Sequence, residues 1–319
     1  MKVAIIIPCR RIDKFTRECV NHCLTLNYRD YEIIILPDNI NKNELESVKH
    51  VGNIVIKIIP TGPLTPGAKR NIGLNSTTSQ VCAFIDSDAY PEKNWLRNAI
   101  KYLKDENVAA VGGPSITPES DNIMQKASGY ILSSFMIGGP LISRKEYGVR
   151  EVDELPSCNL VVKREVLEKV GGWNEKYWPG EDTLLCQAIR NLGKKIIEVP
   201  DVIVYHHRKP LFRPFLKQIA RFGLHRGFFA RKYRGISLKA KYFMPSLLII
   251  YIITSSILSY TLGNVLLYVL PLIVYLTLAL IASIHAKKLA PLVWLGIIAA
   301  HIVYGSAFLM GLLKRDLRR

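Results

Sequence analysis

The chain has 319 residues, 49% of them hydrophobic, and a formal net charge of +17. That length leaves room for one α/β domain of roughly 200 to 240 residues with a sizeable core, plus an appendage. The positive excess is one-sided: no Asp or Glu occurs from Val202 to Arg315, while Arg208 to Lys241 carries eleven Lys and Arg, a block that needs an anionic partner. Because this block runs straight into apolar sequence and has no aromatic-bearing β platform beside it, an anionic membrane surface is the expected partner, and nucleic acid is not. Six cysteines without a CxxC pair fit a reduced, cytoplasmic compartment. Cys19, His22 and Cys23 share one helical turn but lack a fourth ligand for zinc.

Strand and helix signals alternate through the first hundred residues, as a parallel sheet with crossover helices requires. Strands are expected at Val3–Ile7, Glu32–Leu36, Ile54–Ile59, Val81–Ile85 and Val108–Gly112. Between them, helices are expected at Lys14–Leu26, Glu44–Lys49, Gly67–Asn75 and Trp95–Lys104. The opening MKVAIIIPCRR is a first strand and not a secretory signal, since its short apolar stretch meets Pro and two Arg at once. From Pro114 to about Asp153 the pattern loosens into Gly, Ser and Pro, with one helix near Ile123–Leu132, a composition suited to shaping a pocket. Ser157-Cys158-Asn159 precedes a further strand, helices resume at Arg164–Val170 and Asp182–Leu192, and Lys195–Val199 and Val202–Tyr205 close the pattern as strands.

Beyond Pro245 lie three apolar runs, Ser246–Leu262, Val265–His285 and Pro291–Leu313, each near the roughly 20 residues that cross a bilayer as a helix. The expected order is a catalytic domain over 1–205, a basic amphipathic juxtamembrane region over 206–244, two to three transmembrane helices over 245–313 and a basic tail over 314–319. With the amino-terminal domain cytoplasmic, Lys287 and Lys288 fall on the cytoplasmic side after two crossings, as the positive-inside rule favours. A third crossing places Lys314 and Arg315 outside, so one segment need not span.

The run Val81–Ala89, VCAFIDSDA, ends a buried strand in two carboxylates, Asp86 and Asp88. Open α/β sheets bind ligands at that end of a strand, and two acids with one spacer can share a hard divalent cation that holds a phosphate. In TGPLTPGAKRNIGL, Gly67 allows close backbone approach, and the cations Lys69 and Arg70 at a helix start oppose the macrodipole unless an anion joins them. Gly180-Glu181-Asp182 puts two acids at another helix start, where either could cap free amides.

Taken together, these segments resemble a family 2 glycosyltransferase of the GT-A fold, a Rossmann-like, mostly parallel sheet flanked by helices, here membrane-anchored. The likeness runs from Met1 to about Arg234, and the apolar tail resembles members that work on lipid-linked acceptors. It implies Pro8 and Arg10 of IIIPCRR at the nucleotide's edge, and Asp38 of EIIILPDN on the base and ribose. The family's first Asp in that stretch is Pro37 here, which leaves the choice among UDP, GDP and dTDP sugars open. Gly67, Lys69, Arg70 and Asp86 complete the implied nucleotide-sugar site. Asp86 and Asp88 match the family's DxD, holding Mg2+ or Mn2+, with His206 or His207 as a late ligand. Asp182 is the implied general base, with Glu181 as the alternative. Asn159 and the pair Gln218 and Arg221, a variant of the QxxRW sequence, are implied near the acceptor and diphosphate.

The expected function is inverting transfer of a sugar from a nucleotide-diphosphate sugar to a membrane-bound, polyprenyl-linked acceptor at the cytoplasmic face. A polyprenyl-phosphate sugar synthase is the runner-up within the class. A nucleotidyltransferase or a non-catalytic nucleotide-sugar-binding membrane protein stand further off.

Overall fold

The computed structural model describes residues 1–41, 44, 54–138, 148–262 and 265–317, so the expected helix Glu44–Lys49 lies beyond Glu44 outside the described residues. The chain forms two compact units, Met1–Ile116 with Ser143–His207, and Thr117–Ile142 with Arg208–Arg319. The first unit therefore runs two residues past the expected boundary at 205, and the helix expected near Ile123–Leu132 belongs to the second unit. It does so because Ala127 and Ile131 bury in one cluster with Phe215, Val293 and Ile297.

The first unit is built on an eight-stranded sheet. Its first two strands, β1 (Val3–Pro8) and β2 (Tyr31–Leu36), are buried at every position. That is the expected signature of strands covered on both faces. β3 (Val55–Ile58) and β4 (Val81–Phe84) flank them in parallel, in register Ile33↔Ile56 and Ile5↔Ala83. Side chains alternate along each strand, so Ile5, Ile33 and Ala83 join one core with Trp95 and Val20. Ala4, Ile6 and Ile34 join a second core with Leu74, Trp173 and Leu185 on the other face.

The sheet is mostly parallel, with two departures that the sequence pattern did not disclose. Beyond β4 the order continues β9 (Leu160–Lys163), β6 (Val108–Gly112), β10 (Lys195–Glu198) and β8 (Arg150–Glu151). β9 runs antiparallel to both β4 and β6, and β8 antiparallel to β10. A second sheet is formed by β5 (Ala89–Pro91), β11 (Val204–His206) and β7 (Ser115–Ile116), strands of two or three residues that are too short to show a period. The parallel strands β1, β2 and β4 end at one edge, which collects the segments that follow them. Arg10, Asp38 and Asp86 all come from those segments.

Helices cover both faces. α1 (Lys14–Cys23) is capped by Asp13, whose carboxylate accepts from the amides of Phe15 and Thr16. α2 (Pro66–Asn75) has Pro at its first position and is capped by Thr65. α3 (Trp95–Tyr102) buries Trp95 and Leu96. All six cysteines are free and buried.

In the second unit, α4 (Ile123–Ser133) opens with a capping box made by Asn122 and Gln125. α5 (Arg164–Lys169) and α6 (Glu181–Asn191) belong to the first unit, and α7 (Arg213–Lys232), α8 (Arg234–Ser237), α9 (Ala240–Leu262), α10 (Val265–Ser283) and α11 (Ala290–Leu313) to the second. Among the described residues two stretches, Ala240–Thr261 and Val269–Leu313, are long and apolar enough to cross a membrane, and in the apolar window of each only a minority of residues is buried. The second bends at Lys287, whose φ of 52° interrupts the helix between α10 and α11. α7 and α11 approach at backbone distance: a Cβ on Gly227 would clash with the Phe308 carbonyl oxygen.

Glu32, on β2, is buried yet accepts from Thr77 at 2.6 Å and Ser79 at 2.9 Å, and pairs with Lys57 at 2.7 Å. Burial pushes its carboxyl up, but Lys57 and the two hydroxyls outweigh that and bring it from 4.5 down to about 2. Stabilisation from this depressed group is present above its unfolded value and is lost as the pH falls towards 2. Glu32→Gln is therefore expected to lower the thermal midpoint at neutral pH, with the gap to wild type closing as the pH drops below about 4. Melting curves across that range check it, and a gap independent of pH would refute the assignment. In the second unit, Gly227→Val is expected to cost about 1–3 kcal/mol or more by overpacking the α7–α11 contact, read as a lower melting midpoint in detergent.

Candidate active site

Asp86 and Asp88 lie in the turn that leaves the carboxyl end of β4. β11 pairs with β5 in the register His206↔Ala89, which brings a ring from far along the chain to the acids. His206 Nε2 stands 3.2 Å from Asp88 Oδ1, and ligand atoms of Asp86, Asp88 and His206 all lie within 4.8 Å of one another. Two carboxylates and one imidazole suit Mg2+ or Mn2+, and the partial exposure of all three leaves room for ligands from outside the protein. Burial works against a charged His206 ring, but Cys158 and Asp88 outweigh it and raise the ring to about 10.

His207 is not in this group. Its ring Nε2 donates to Glu18 Oε2, 3.0 Å away on α1, so of the two candidate histidines the fold brings His206 to the acid pair.

Arg70 connects this corner to the second acid cluster. Its guanidinium is almost fully buried and donates to Asp86 Oδ1 at 2.8 Å, Glu181 Oε1 at 2.8 Å and Ser157 Oγ at 2.9 Å. It also lies over the Trp173 ring, 4.6 Å from the centroid, while its Nε has no hydrogen-bond partner among the described residues. Burial opposes its charge, but Asp86 and Glu181 hold the guanidinium above its usual range. Glu181 is itself buried. Its carboxyl is pushed from 4.5 to about 7, chiefly by burial and then by the neighbouring Asp182, against the pull of Arg70. Asp182 is less enclosed, and its Oδ1 accepts from the Thr183 amide at 2.8 Å. The two acids thus open α6 in different settings, Glu181 locked on Arg70 and Asp182 at the partly open side.

Other expected residues are placed in ways the sequence did not anticipate. Lys69 is buried, and its ammonium donates to the carbonyls of Cys9 at 2.6 Å and Leu36 at 3.2 Å and pairs closely with Asp38. The anion that answers its charge is Asp38, and Lys69 ties the ends of β1 and β2 together. Pro8 is buried at the end of β1, and the exposed Arg10 accepts on its carbonyl from the Asp38 amide at 3.0 Å. Gly67 makes a close approach, but to protein: a Cβ there would stand 2.8 Å from the Asn174 carbonyl oxygen. Asn159 is fully buried, accepting from Trp95 Nε1 at 2.8 Å and donating to Val202 at 2.8 Å and Pro114 at 3.2 Å. Both sides of its amide are thus bonded inside the core. Gln218 and Arg221 are on α7 of the second unit, three residues apart on one face.

Sequence reasoning missed Asn71. Its side-chain amide pairs with the backbone of Trp173 in both directions, at 2.7 and 2.9 Å, and donates to Glu175 at 2.7 Å. These bonds fix the segment that leads to Glu181 and Asp182. The one signal was its place after Arg70, since the partner lies a hundred residues away.

Four likenesses, to a family model, two relatives and a solved structure, bear on this arrangement. A family model described as Glycosyl transferase family 2 matches residues 4–171. The chain is 29% identical over 229 residues to the pre-mycofactocin glycosyltransferase of Mycobacterium tuberculosis, covering 69% of this chain and 46% of that protein, so it spans about half that relative's length. Over 244 residues it is 22% identical to the dolichyl N-acetyl-alpha-D-glucosaminyl phosphate 3-beta-D-2,3-diacetamido-2,3-dideoxy-beta-D-glucuronosyltransferase of Methanococcus voltae, covering 72% of this chain and 74% of that one. A mannosyltransferase from Pyrobaculum calidifontis, solved in complex with GDP-Man and Mn2+, matches with a TM-score of 0.65 at 19% identity over 97% of this chain and 87% of its own. That likeness establishes a shared fold, the expected GT-A arrangement. With its family model matched over more than half of its length, the chain belongs to glycosyl transferase family 2.

Proposed function

We propose that the chain transfers a sugar, with inversion, from a nucleotide-diphosphate sugar to a membrane-bound acceptor of the polyprenyl-linked glycan class at the cytoplasmic face. The observation that carries this reading is the continuous contact Asp86–Arg70–Glu181, which joins a cation-suited acid corner to a second acid pair. The Methanococcus voltae relative bears a dolichyl-linked acceptor in its name, which supports the acceptor class.

Asp86, Asp88 and His206 would hold Mg2+ or Mn2+, which would neutralise the charge growing on the departing nucleoside diphosphate. Arg70 sets the direction of the Asp86 carboxylate, so that corner is preorganised before a donor arrives. Asp182 takes the proton from the acceptor hydroxyl as that oxygen attacks the anomeric carbon. The bond to the diphosphate oxygen breaks on the opposite face, its electron pair leaving with the nucleoside diphosphate. Glu181, paired to Arg70, orients the cluster and leaves Asp182 as the base.

The second unit supplies the membrane side of the reading. Arg213, Lys217 and Arg221 are exposed at fourfold spacing along α7, next in sequence to the two stretches suited to crossing a bilayer. An anionic lipid surface answers their charge, each cation contributing about 1 kcal/mol near it.

Two measurements test the assignment. Full-length protein incubated with UDP-, GDP- and dTDP-sugars and a lipid extract is expected to release nucleoside diphosphate, with loss in EDTA and in Asp88→Ala at an unchanged melting midpoint. Full activity of purified Asp88→Ala, or release of pyrophosphate, would overturn it. Asp182→Asn is expected to lower kcat by about 10²- to 10⁴-fold with KM for the donor little changed. If Glu181→Gln produces that loss while Asp182→Asn does not, the base is Glu181.

A further inference from the structure

The second histidine of the His206–His207 pair has no place in the acid corner, yet it is buried and held from three sides. Its backbone amide donates to the Asp88 carbonyl at 3.0 Å. Its Nε2 lies 3.0 Å from Glu18 Oε2 on α1. Its ring is tilted against Phe15 of the same helix at 4.7 Å and against Tyr90 at 5.8 Å. Tyr90, on β5, in turn stacks on Tyr205 at 5.1 Å, one residue before His206. One side chain thus contacts α1, and the same residue's backbone holds the turn that carries Asp88.

Its place in the chain sharpens the point. His207 is the last residue of the first unit, and Arg208 opens the return into the second. His206, which faces Asp88, is therefore one residue from the end of its unit. β11 is only three residues long, and a strand that short holds its last residue weakly through the ladder alone. The bond from His207 to Glu18 ties this end to a ten-residue helix that is capped and buried on one face.

We propose that Glu18 and His207 are positioning residues for the cation site: their bond fixes the end of β11 so that His206 meets Asp88. Neither touches the ion. The inference rests on the reading of Asp86, Asp88 and His206 as a cation site, and the control below separates the two. Losing a partner that orients the ligands of a metal typically costs about 10- to 100-fold in affinity.

The test is Mn2+ binding to full-length protein in detergent, without donor, by calorimetry and by loss of the free-Mn2+ paramagnetic resonance signal. Glu18→Ala and His207→Phe are each expected to weaken Mn2+ binding by about tenfold, the lower end for outer-shell partners. The double variant is expected to be no weaker than either single, because both remove one bond. Glu18→Gln, which keeps a hydrogen-bonding group, is expected to restore most of the affinity. A merely structural role would lower the melting midpoint without this rescue pattern in Mn2+ affinity, and that result would overturn the proposal. So would wild-type affinity in Glu18→Ala and His207→Phe, or a loss in His207→Phe alone, which would make His207 a direct ligand. Asp88→Ala is the control: if it also binds Mn2+ as wild type does, the cation site itself has been misread. If it loses Mn2+ while the other variants keep it, only the role of Glu18 and His207 fails.

Discussion

A buried guanidinium with three oxygen partners constrains the whole first unit. Taking Arg70 out of water is costly, and in such settings the cost is offset only when the charge meets opposite charges and hydrogen bonds of good geometry. Asp86, Glu181 and Ser157 meet it from a strand end, a helix start and a short turn, and Trp173 covers its face. Removing any one of the acids would leave charge stranded in the interior, so the positions of Asp86 and Glu181 are coupled. Glu181 is held where its neighbour Asp182 is less enclosed, while Asp86 and Asp88 are both partly exposed. The cost in stability and the preorganisation of the site are the same interaction.

This hub is reached because of topology. Parallel strands β1, β2 and β4 deliver their following segments to one edge, which places Asp38 and Asp86 there without any long-range specificity in the sequence. β9, inserted antiparallel beside β4, then brings Ser157 and Cys158 alongside from a later part of the chain. α2 stands at the same edge, so Lys69 and Arg70 turn to different partners: Lys69 inward to Asp38 and the ends of β1 and β2, Arg70 across to α6. Two adjacent cations that look like one anion site in sequence are two separate internal clamps.

What the sequence disclosed follows from how far each interaction reaches along the chain. The buried strands and the acids that end β4 are local patterns, and both were legible. The long apolar helices were too, because hydrophobicity over some 20 residues is a strong signal. Asn71 with Trp173, and Glu18 with His207, were not, since each pair joins segments that only the sheet order brings together. The internal bonds of Asn159 were hidden for a related reason. An Asn before a strand can face a ligand or satisfy buried carbonyls, and only its enclosure beside Trp95 and Val202 decides between them. The short strands of the second sheet, which carry His206, hold too few residues for an alternation to show.

The second unit solves a different problem, that of keeping a cationic helix next to an apolar one. Gly223 and Gly227 on α7 face the carbonyls of Tyr304 and Phe308, and Gly311 on α11 faces that of Leu224. Glycine at these sites lets two backbones meet where any Cβ would clash, the same device that brings helices together in lipid. Arg213, Lys217 and Arg221 on α7 are exposed, while Phe215 and Ile219, in line with Gly223 and Gly227, bury with Val293, Ile297 and Ala300 of α11. Close packing along the seam fixes the depth of the charged stripe relative to the apolar helix α11. Held by glycines, the stripe keeps one register on α11, with Phe215 and Ile219 in the cluster of Val293 and Ile297 at one end and Gly227 beside Phe308 at the other.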